Sequence, residues 1–132
     1  MWPRRYKSAM TSTRKNAIAI IDDDAGMREA ASTLLAVYGY KTETYDSAQA
    51  FLNGGLISEA ACLVVDIQLG DISGLELARQ LTADGYKHPI IFMTGLSSDS
   101  VRDQAAAMGA IAFLEKPFEP KLLLEAIRKV IR

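Results

Sequence analysis

Short apolar runs recur along the chain, and each is followed by polar or charged residues. Runs of four or five apolar residues that include β-branched side chains are typical of strands buried on both faces of a parallel sheet. Such runs predict strands at residues 17–21, 62–66, 89–93 and 110–114. Residues 40–45 instead alternate polar and apolar side chains, which predicts a half-exposed edge strand.

Between these stretches, apolar residues recur at intervals of three and four, which predicts five helices. The residues that we expect to open them are Asp24, Asp46 with Gln49, Ser73 with Glu76, the serines within 97–100, and Pro120. Gly39 and Gly109 are expected to end two of them. Alternating strands and helices predict an α/β fold, a three-layer, doubly wound (βα)5 parallel sheet of the flavodoxin-like order 2-1-3-4-5.

The composition fits one globular domain. Apolar residues make up 49% of the 132 residues and charged residues 23%. No apolar segment approaches the roughly 18 residues that span a bilayer, and no apolar core follows the basic N-terminus to form a secretory signal. The single cysteine, Cys62, excludes an internal disulfide and indicates a reducing compartment. We therefore expect a cytoplasmic protein that has no membrane partner.

The formal net charge of −1 hides an uneven distribution of charge. Residues 1–15 carry five basic and no acidic side chains, and we predict that they form a disordered arm. Residues 16–132, which we predict to be the folded domain, carry a net charge of −6. An acidic domain argues against direct nucleic-acid binding by the folded part.

Side chains that carry chemistry follow the ends of four predicted strands. They are Asp22 and Asp23, Asp66, Thr94 and Lys116. The ends of parallel strands share one edge of the sheet, so we expect these side chains to converge on one crevice. Each residue alone has an ordinary structural interpretation, as a strand-end cap or a solvated charge. Their coincidence at four strand ends favours a functional site.

Three carboxylates that lie close together repel one another unless cations join them. Lys116 compensates one charge, and a divalent cation would compensate more. Oxygen ligands suit Mg²⁺ better than zinc. A carboxylate in such a site can attack phosphorus, which makes Asp66 the predicted nucleophile of a phosphoryl transfer. Lys116 would stabilise the transferring group, and the Thr94 hydroxyl would donate a hydrogen bond to it afterwards.

Four motifs resemble those of two-component response-regulator receiver domains. They are Ile21-Asp22-Asp23-Asp24 with Met27-Arg28, Val65-Asp66-Ile67-Gln68-Leu69 with Ser73-Gly74-Leu75-Glu76, Met93-Thr94-Gly95, and Glu115-Lys116-Pro117-Phe118. The resemblance covers roughly residues 16–132. It implies a signalling domain rather than an enzyme, one that assists its own phosphorylation and dephosphorylation. The implied phosphoryl donor is a sensor histidine kinase or a phosphotransfer protein.

The resemblance also implies the roles of the site residues. Asp66 is the phosphoacceptor and binds Mg²⁺ (or Mn²⁺) together with Asp22 and Asp23, and Gln68 contributes its backbone carbonyl to the metal. Lys116 and Thr94 stabilise the phosphoryl group.

Thr94 and Phe113 form the implied switch. It acts on the surface of the fourth helix, fifth strand and fifth helix. We expect this surface to bind a second copy of the chain, or an output partner, more tightly after phosphorylation. Lys116 must turn into the crevice directly before a proline, so we also expect a cis peptide bond at Pro117.

Two positions depart from the family pattern. Phe113 stands where many receivers have tyrosine, and Gly70 stands where proline is common. Neither position carries the phosphoryl chemistry. The stretch from Phe113 to Phe118, with residues 122–127, is similar to receivers that precede LuxR-type DNA-binding domains.

Two other classes of protein remain open at this point. Asp22, Asp24, Thr94 and Lys116 loosely resemble the motifs of haloacid-dehalogenase-type phosphatases, although that class gives Asp66 no role and requires a further acidic pair. A receiver-like binding module that is never phosphorylated would also fit the fold. Such modules usually lose an acidic or lysine position, and this sequence keeps them all. A flavin-binding module is disfavoured, because no phosphate-binding loop follows the first strand.

Overall fold

The computed structural model describes residues 17–54 and 60–131, and the predicted basic arm of residues 1–15 lies outside them. Strands and helices alternate along these residues. The elements are β1 (Ala17–Ile21), α1 (Ala25–Val37), β2 (Lys41–Tyr45), α2 (Ala48–Asn53), β3 (Cys62–Asp66), α3 (Gly74–Ala83), β4 (Ile90–Thr94), α4 (Asp99–Ala107), β5 (Ala112–Glu115) and α5 (Pro120–Arg128). Among the described residues, no helix is long and apolar enough to cross a membrane.

The five strands form one sheet in the order β2-β1-β3-β4-β5, and every neighbouring pair is parallel. The predicted strand order is therefore confirmed. β2 is an edge strand with half-exposed side chains, and β1, β3 and β4 are buried along their whole length. In register, Ile21 pairs with Val65, and Asp66 pairs with Met93. The residues that end these strands consequently meet at one edge of the sheet.

The sheet separates two apolar layers. Because successive side chains of a strand point to opposite faces, Ile18 and Ile20 pack on one face and Ile21 on the other. Leu35 of α1 and Ile127 of α5 cover the first face, and α2, α3 and α4 cover the second. Each fully buried leucine or isoleucine contributes roughly 1.5–3 kcal/mol. These layers cover both faces of the sheet, and the predicted site residues lie at its edge.

Three predicted helix caps are present. The carboxylate of Asp24 accepts hydrogen bonds from the backbone N–H groups of Gly26 and Met27. The hydroxyls of Ser73 and Ser98 likewise cap α3 and α4. Asp24, which follows the acidic pair at the end of β1, therefore fixes where α1 begins.

The predicted cap of α2 is wrong by one residue. Ser47, not Asp46, is the N-cap, and its hydroxyl accepts from the N–H of Ala50 at 3.0 Å. The carboxylate of Asp71, from the loop after β3, also accepts from the N–H groups of Ala48 and Gln49. The hydrogen bond from Gln49 is the main cause that lowers the pKa of Asp71. A capping pattern concerns neighbouring residues only, so it could not predict a partner 23 residues away.

The predicted fifth strand begins too early. Residues 110–114 were expected to form it, but β5 spans Ala112–Glu115. The N–H of Ala110 bonds to the carbonyl of Ala105 as part of the end of α4, where Gly109 has a φ of 77°. This left-handed conformation suits glycine, because it has no Cβ. Residues 110 and 111 are apolar, as strand residues are, but they lie between the end of α4 and the start of β5. β4 is also shifted by one residue, to Ile90–Thr94.

Candidate functional site

Four strand ends bring the predicted site residues together at one edge of the sheet. Asp22 follows β1, Asp66 and Thr94 are the last residues of β3 and β4, and Lys116 follows β5. Asp22 and Thr94 are fully buried, and Asp66 is only 4% exposed. Polar side chains buried this deeply must be hydrogen-bonded, and all three are.

Lys116 links the two buried carboxylates. Its Nζ donates to Oδ2 of Asp22 at 2.8 Å and to Oδ2 of Asp66 at 2.9 Å. Its backbone N–H bonds to the carbonyl of Thr94 at 2.8 Å, which continues the pairing of β5 with β4 past the end of β5. The peptide bond between Lys116 and Pro117 is cis, the isomer expected from the sequence. The lysine therefore lies across the crevice between β1 and β3.

Backbone groups fix the other oxygens of the same carboxylates. Oδ1 of Asp22 accepts from the N–H of Asp24 at 2.9 Å, and Oδ1 of Asp66 accepts from the N–H of Gln68 at 2.9 Å. The Nη1 atom of Arg28, on α1, donates to the backbone carbonyl of Asp22 at 2.8 Å. Both buried carboxylates are thus held in one orientation by donors from the loops that follow their strands.

The electrostatics of the site are those of crowded, desolvated charges. Burial is the main cause that raises the pKa of Asp66, and the nearby Asp22 carboxylate raises it further, against the lowering effect of the Lys116 and Gln68 hydrogen bonds. Partial burial disfavours the charged form of Lys116, but its hydrogen bonds to Asp22 and Asp66 outweigh this and raise the pKa of the lysine. One ammonium group therefore compensates the carboxylates only in part.

A third carboxylate completes an acidic cluster. One oxygen each from Asp22, Asp23 and Asp66 lies within 4.8 Å of the others, and Asp23 is exposed to solvent. Three carboxylates with one lysine leave excess negative charge at an oxygen-rich, solvent-facing point. This donor set fits a hard divalent cation such as Mg²⁺, which binds few protein carboxylates and retains several waters.

The Thr94 hydroxyl is hydrogen-bonded to groups other than Asp66. It donates to the side-chain carbonyl Oε1 of Gln68 at 2.7 Å and accepts from the N–H of Leu96 at 3.0 Å. The N–H of Gly95 also donates to Oε1 of Gln68, at 3.3 Å. The loop after β4 is therefore bonded to the loop after β3 through the Gln68 side chain, a contact that the sequence analysis did not predict.

This geometry agrees with a comparison against protein-family models. The model described as "Response regulator receiver domain" matches residues 18–128. The chain belongs to this family. A receiver domain is a regulatory domain of two-component response regulators, and its standard role is phosphorylation-dependent signalling. The family membership sets aside the haloacid-dehalogenase and flavin interpretations.

Curated relatives of this receiver are longer proteins. Response regulator protein TodT of Pseudomonas putida is 38% identical over 121 residues, which are 92% of this chain and 53% of TodT. Transcriptional regulatory protein FixJ of Bradyrhizobium diazoefficiens is 38% identical over 120 residues, which are 91% of this chain and 58% of FixJ. The chain thus spans little more than half the length of either relative.

Solved receiver structures share the fold. The BeF3-activated receiver domain of DrrB superposes with a TM-score of 0.78 at 29% identity, covering 86% of this chain and 95% of that one. The N-terminal domain of FixJ gives a TM-score of 0.76 at 32% identity, covering 86% of this chain and 91% of that one. The likeness therefore extends over nearly all of both receivers.

The predicted switch aromatic, Phe113, lies on the face of the sheet that α4 covers. Its half-buried ring packs against the core layer of α2, α3 and α4, and the guanidinium carbon of Arg102 lies 4.8 Å from the ring centroid. Arg102 also pairs with Glu115 at 2.6 Å and bonds to the hydroxyl of Ser97 at 3.1 Å. A cation over an aromatic face is attracted to it. Arg102 therefore joins α4, β5 and the loop before α4 around the ring.

Gly74, the first residue of α3, is a supporting residue that the sequence reasoning missed. A Cβ on Gly74 would overlap the carbonyl oxygen of Asp66 and would press on the Val65 side chain. The N–H of Gly74 donates to the carbonyl of Ile67 at 2.8 Å. Glycine thus lets α3 begin directly against the backbone of the candidate phosphoacceptor. The signals in the sequence were its position after the helix cap Ser73 and its place in the receiver-like motif Ser73-Gly74-Leu75-Glu76.

Proposed function

We propose that this receiver accepts a phosphoryl group on Asp66 from the phosphohistidine of a sensor histidine kinase or a phosphotransfer protein. The observation that carries the proposal is the Lys116 Nζ atom, which lies within 2.9 Å of both Asp22 and Asp66 beside the acidic cluster. The closeness of a buried carboxylate, a lysine ammonium group and two further carboxylates supports the proposal. This arrangement matches the requirements of phosphoryl transfer to a carboxylate.

In the proposed reaction, a carboxylate oxygen of Asp66 forms a bond to phosphorus while the bond from phosphorus to the histidine nitrogen breaks. The electron pair of the broken bond stays on the imidazole. The hydrogen bond from the Gln68 N–H orients the attacking carboxylate, and Lys116 shifts part of its interaction from Asp66 to the phosphoryl oxygens. Asp66 therefore needs no large rearrangement to react, and the chain assists its own phosphorylation and dephosphorylation.

The carboxylates of Asp22, Asp23 and Asp66, with the backbone carbonyl of Gln68, would hold Mg²⁺ or Mn²⁺. When bound, the cation neutralises the carboxylates and the phosphoryl oxygens, so that an anionic nucleophile can approach an anionic donor.

The proposed output is a change in the surface formed by α4, β5 and α5. A phosphoryl group on Asp66 attracts the Thr94 hydroxyl, and Phe113 then rotates into the space that Thr94 vacates. The two moves belong to one equilibrium, which phosphorylation shifts by its different interaction with the two states. Leu122, which is 40% exposed on α5, is one apolar contact that this surface offers to a second copy or an output partner.

The proposed kinase contact is an apolar groove that Lys116 helps to line. The groove has a volume of about 510 Å³ and lies between α1 and the start of α5. Its lining residues are Met27, Ala30, Ala31, Leu34, Lys116, Pro117, Phe118, Pro120 and Leu123. A partner helix seated there would bring its phosphohistidine next to Lys116 and Asp66, because Lys116 belongs to both the groove and the site.

The test is the intact mass of the protein after incubation with acetyl phosphate and Mg²⁺. We expect one added phosphoryl group on the wild type and on Asp84→Asn, a matched control at the end of α3. We expect none on Asp66→Asn or in the presence of a chelator. Addition to Asp66→Asn would show that the acceptor is elsewhere. A wild type that gains no mass would instead support a receiver-like binding module that is never phosphorylated.

The output is tested by sedimentation with and without beryllium fluoride, a phosphoryl mimic. Thr94→Ala should still accept phosphate, because Thr94 is not bonded to Asp66. It should associate less than the wild type when the mimic is bound. Equal mimic-dependent association in both proteins would remove Thr94 from the switch.

A further inference from the structure

The side chain of Gln68 contacts the switch hydroxyl, whereas its backbone contacts the phosphoacceptor. Oε1 of Gln68 accepts from the Thr94 hydroxyl at 2.7 Å and from the N–H of Gly95 at 3.3 Å. The N–H of the same Gln68 donates to Oδ1 of Asp66 at 2.9 Å. One residue therefore joins the loops that follow β3 and β4 at the point where the signal would pass between them.

These contacts occupy the hydrogen-bonding capacity that the switch needs. A threonine hydroxyl has a single proton, and in Thr94 that proton is donated to Gln68. The hydroxyl oxygen accepts from the N–H of Leu96 at 3.0 Å. Thr94 is fully buried, so water does not compete for the proton. The hydroxyl cannot donate to a phosphoryl group on Asp66 without first leaving Gln68.

We propose that Gln68 is a positioning residue whose side chain latches Thr94 in the unphosphorylated arrangement and thereby sets the threshold of the switch. The proposal rests on the function proposed above for Asp66 and Thr94. Phosphorylation releases the latch because a hydrogen bond to a charged phosphoryl oxygen is stronger than one to a neutral amide oxygen. The same move breaks the Leu96 contact and frees the loop between β4 and α4.

The variant that tests the latch is Gln68→Met. Methionine has a similar length but only a weak acceptor, and the backbone N–H and carbonyl of residue 68 are retained. Without its acceptor, the buried Thr94 proton favours the state that turns towards Asp66. We expect beryllium fluoride to bind roughly three- to tenfold more tightly at saturating Mg²⁺, which is about the factor that one hydrogen bond contributes to an equilibrium.

Two further readouts separate a latch from general damage to the site. The stability of the mimic-free protein should fall in Gln68→Met, because a hydrogen bond is lost, while the affinity for the mimic rises. Damage to the site would lower both. In the mimic-free protein, the Gly95 amide should exchange its hydrogen faster, since it loses its acceptor Gln68.

A double-mutant cycle with Thr94→Val decides whether Gln68 acts through Thr94. Valine keeps the shape of threonine and removes the hydroxyl. In that background, Gln68→Met should leave the affinity for beryllium fluoride unchanged, and Gln68→Ala should give the same result if Gln68→Met folds poorly. A gain that persists without the Thr94 hydroxyl would mean that Gln68 acts on the phosphoryl group itself and would overturn the latch.

The cycle also distinguishes failure of the latch from failure of the proposed function. A wild type that binds the mimic as tightly as Gln68→Met overturns the latch alone. A wild type that binds no mimic overturns the proposed function, and the latch with it.

Discussion

Replacing Lys116 by methionine should destabilise the protein, even though the substitution removes no side chain of the apolar core. Methionine keeps most of the apolar stem, but it leaves the buried carboxylates of Asp22 and Asp66 without their shared cation at 2.8 and 2.9 Å. Removing one partner of a buried ion pair typically costs 3–5 kcal/mol. We expect a cost at the lower end of this range for two reasons. The Lys116 side chain is 22% exposed, and Asp66, whose pKa is already raised, can take up a proton when the lysine is absent. We therefore expect a loss of about 3 kcal/mol in the free energy of unfolding.

The assay is urea denaturation at neutral pH in the presence of a chelator. The matched control is Lys121→Met, because Lys121 lies 3.8 Å from Glu119 and both side chains are about 70% exposed. Such a surface pair contributes little, so the control should change stability by less than about 0.5 kcal/mol. Mg²⁺ should narrow the difference between Lys116→Met and the wild type, since a bound cation replaces part of the lost charge. Equal losses in the two variants would refute this description of the site.

Three further predictions concern the residues that support the site. Gly74→Ala should lower stability by roughly 1–3 kcal/mol in urea denaturation, because its Cβ overlaps the Asp66 carbonyl, whereas Gly95→Ala has open space and should be tolerated. Asp24→Ala should cost about 1 kcal/mol in the same assay, through loss of the cap of α1. Burial raises the folded-state pKa of Asp66 above its usual 3.8, so the folded protein holds a proton there more tightly than the unfolded chain does. With a chelator present, the free energy of unfolding of the wild type, relative to that of Asp66→Asn, should therefore fall as the pH rises through the raised pKa. A relative stability that rises over this pH range would contradict the electrostatic account.

Much of the fold could be predicted because its signals are local. Buried parallel strands have continuous apolar sequences, and the polar residue that ends each of them marks the edge of the sheet. This pattern alone predicts that Asp22, Asp66, Thr94 and Lys116 lie at one edge of the sheet. Asp24 and Ser73 were also predictable, because a helix cap depends on residues only two or three positions away.

The remaining details depend on contacts between segments that are distant in sequence. The Gln68 side chain meets Thr94 across 26 positions, and Arg102 meets Glu115 across 13. Neither partner is specified by periodicity or by a capping pattern. Gly74 was missed for the same reason, since its necessity comes from the backbone of another element. Contacts of this kind were not accessible to the sequence reasoning.

The most direct test of the central claim is to locate the phosphoryl group chemically. Borohydride reduces an aspartyl phosphate to homoserine, and peptide mass mapping after treatment with acetyl phosphate and Mg²⁺ reports the reduced position. We predict reduction at position 66 alone, and none when a chelator is present. Reduction at position 22 or 23, or at any position without Mg²⁺, would contradict the assignment of Asp66 as the metal-dependent phosphoacceptor.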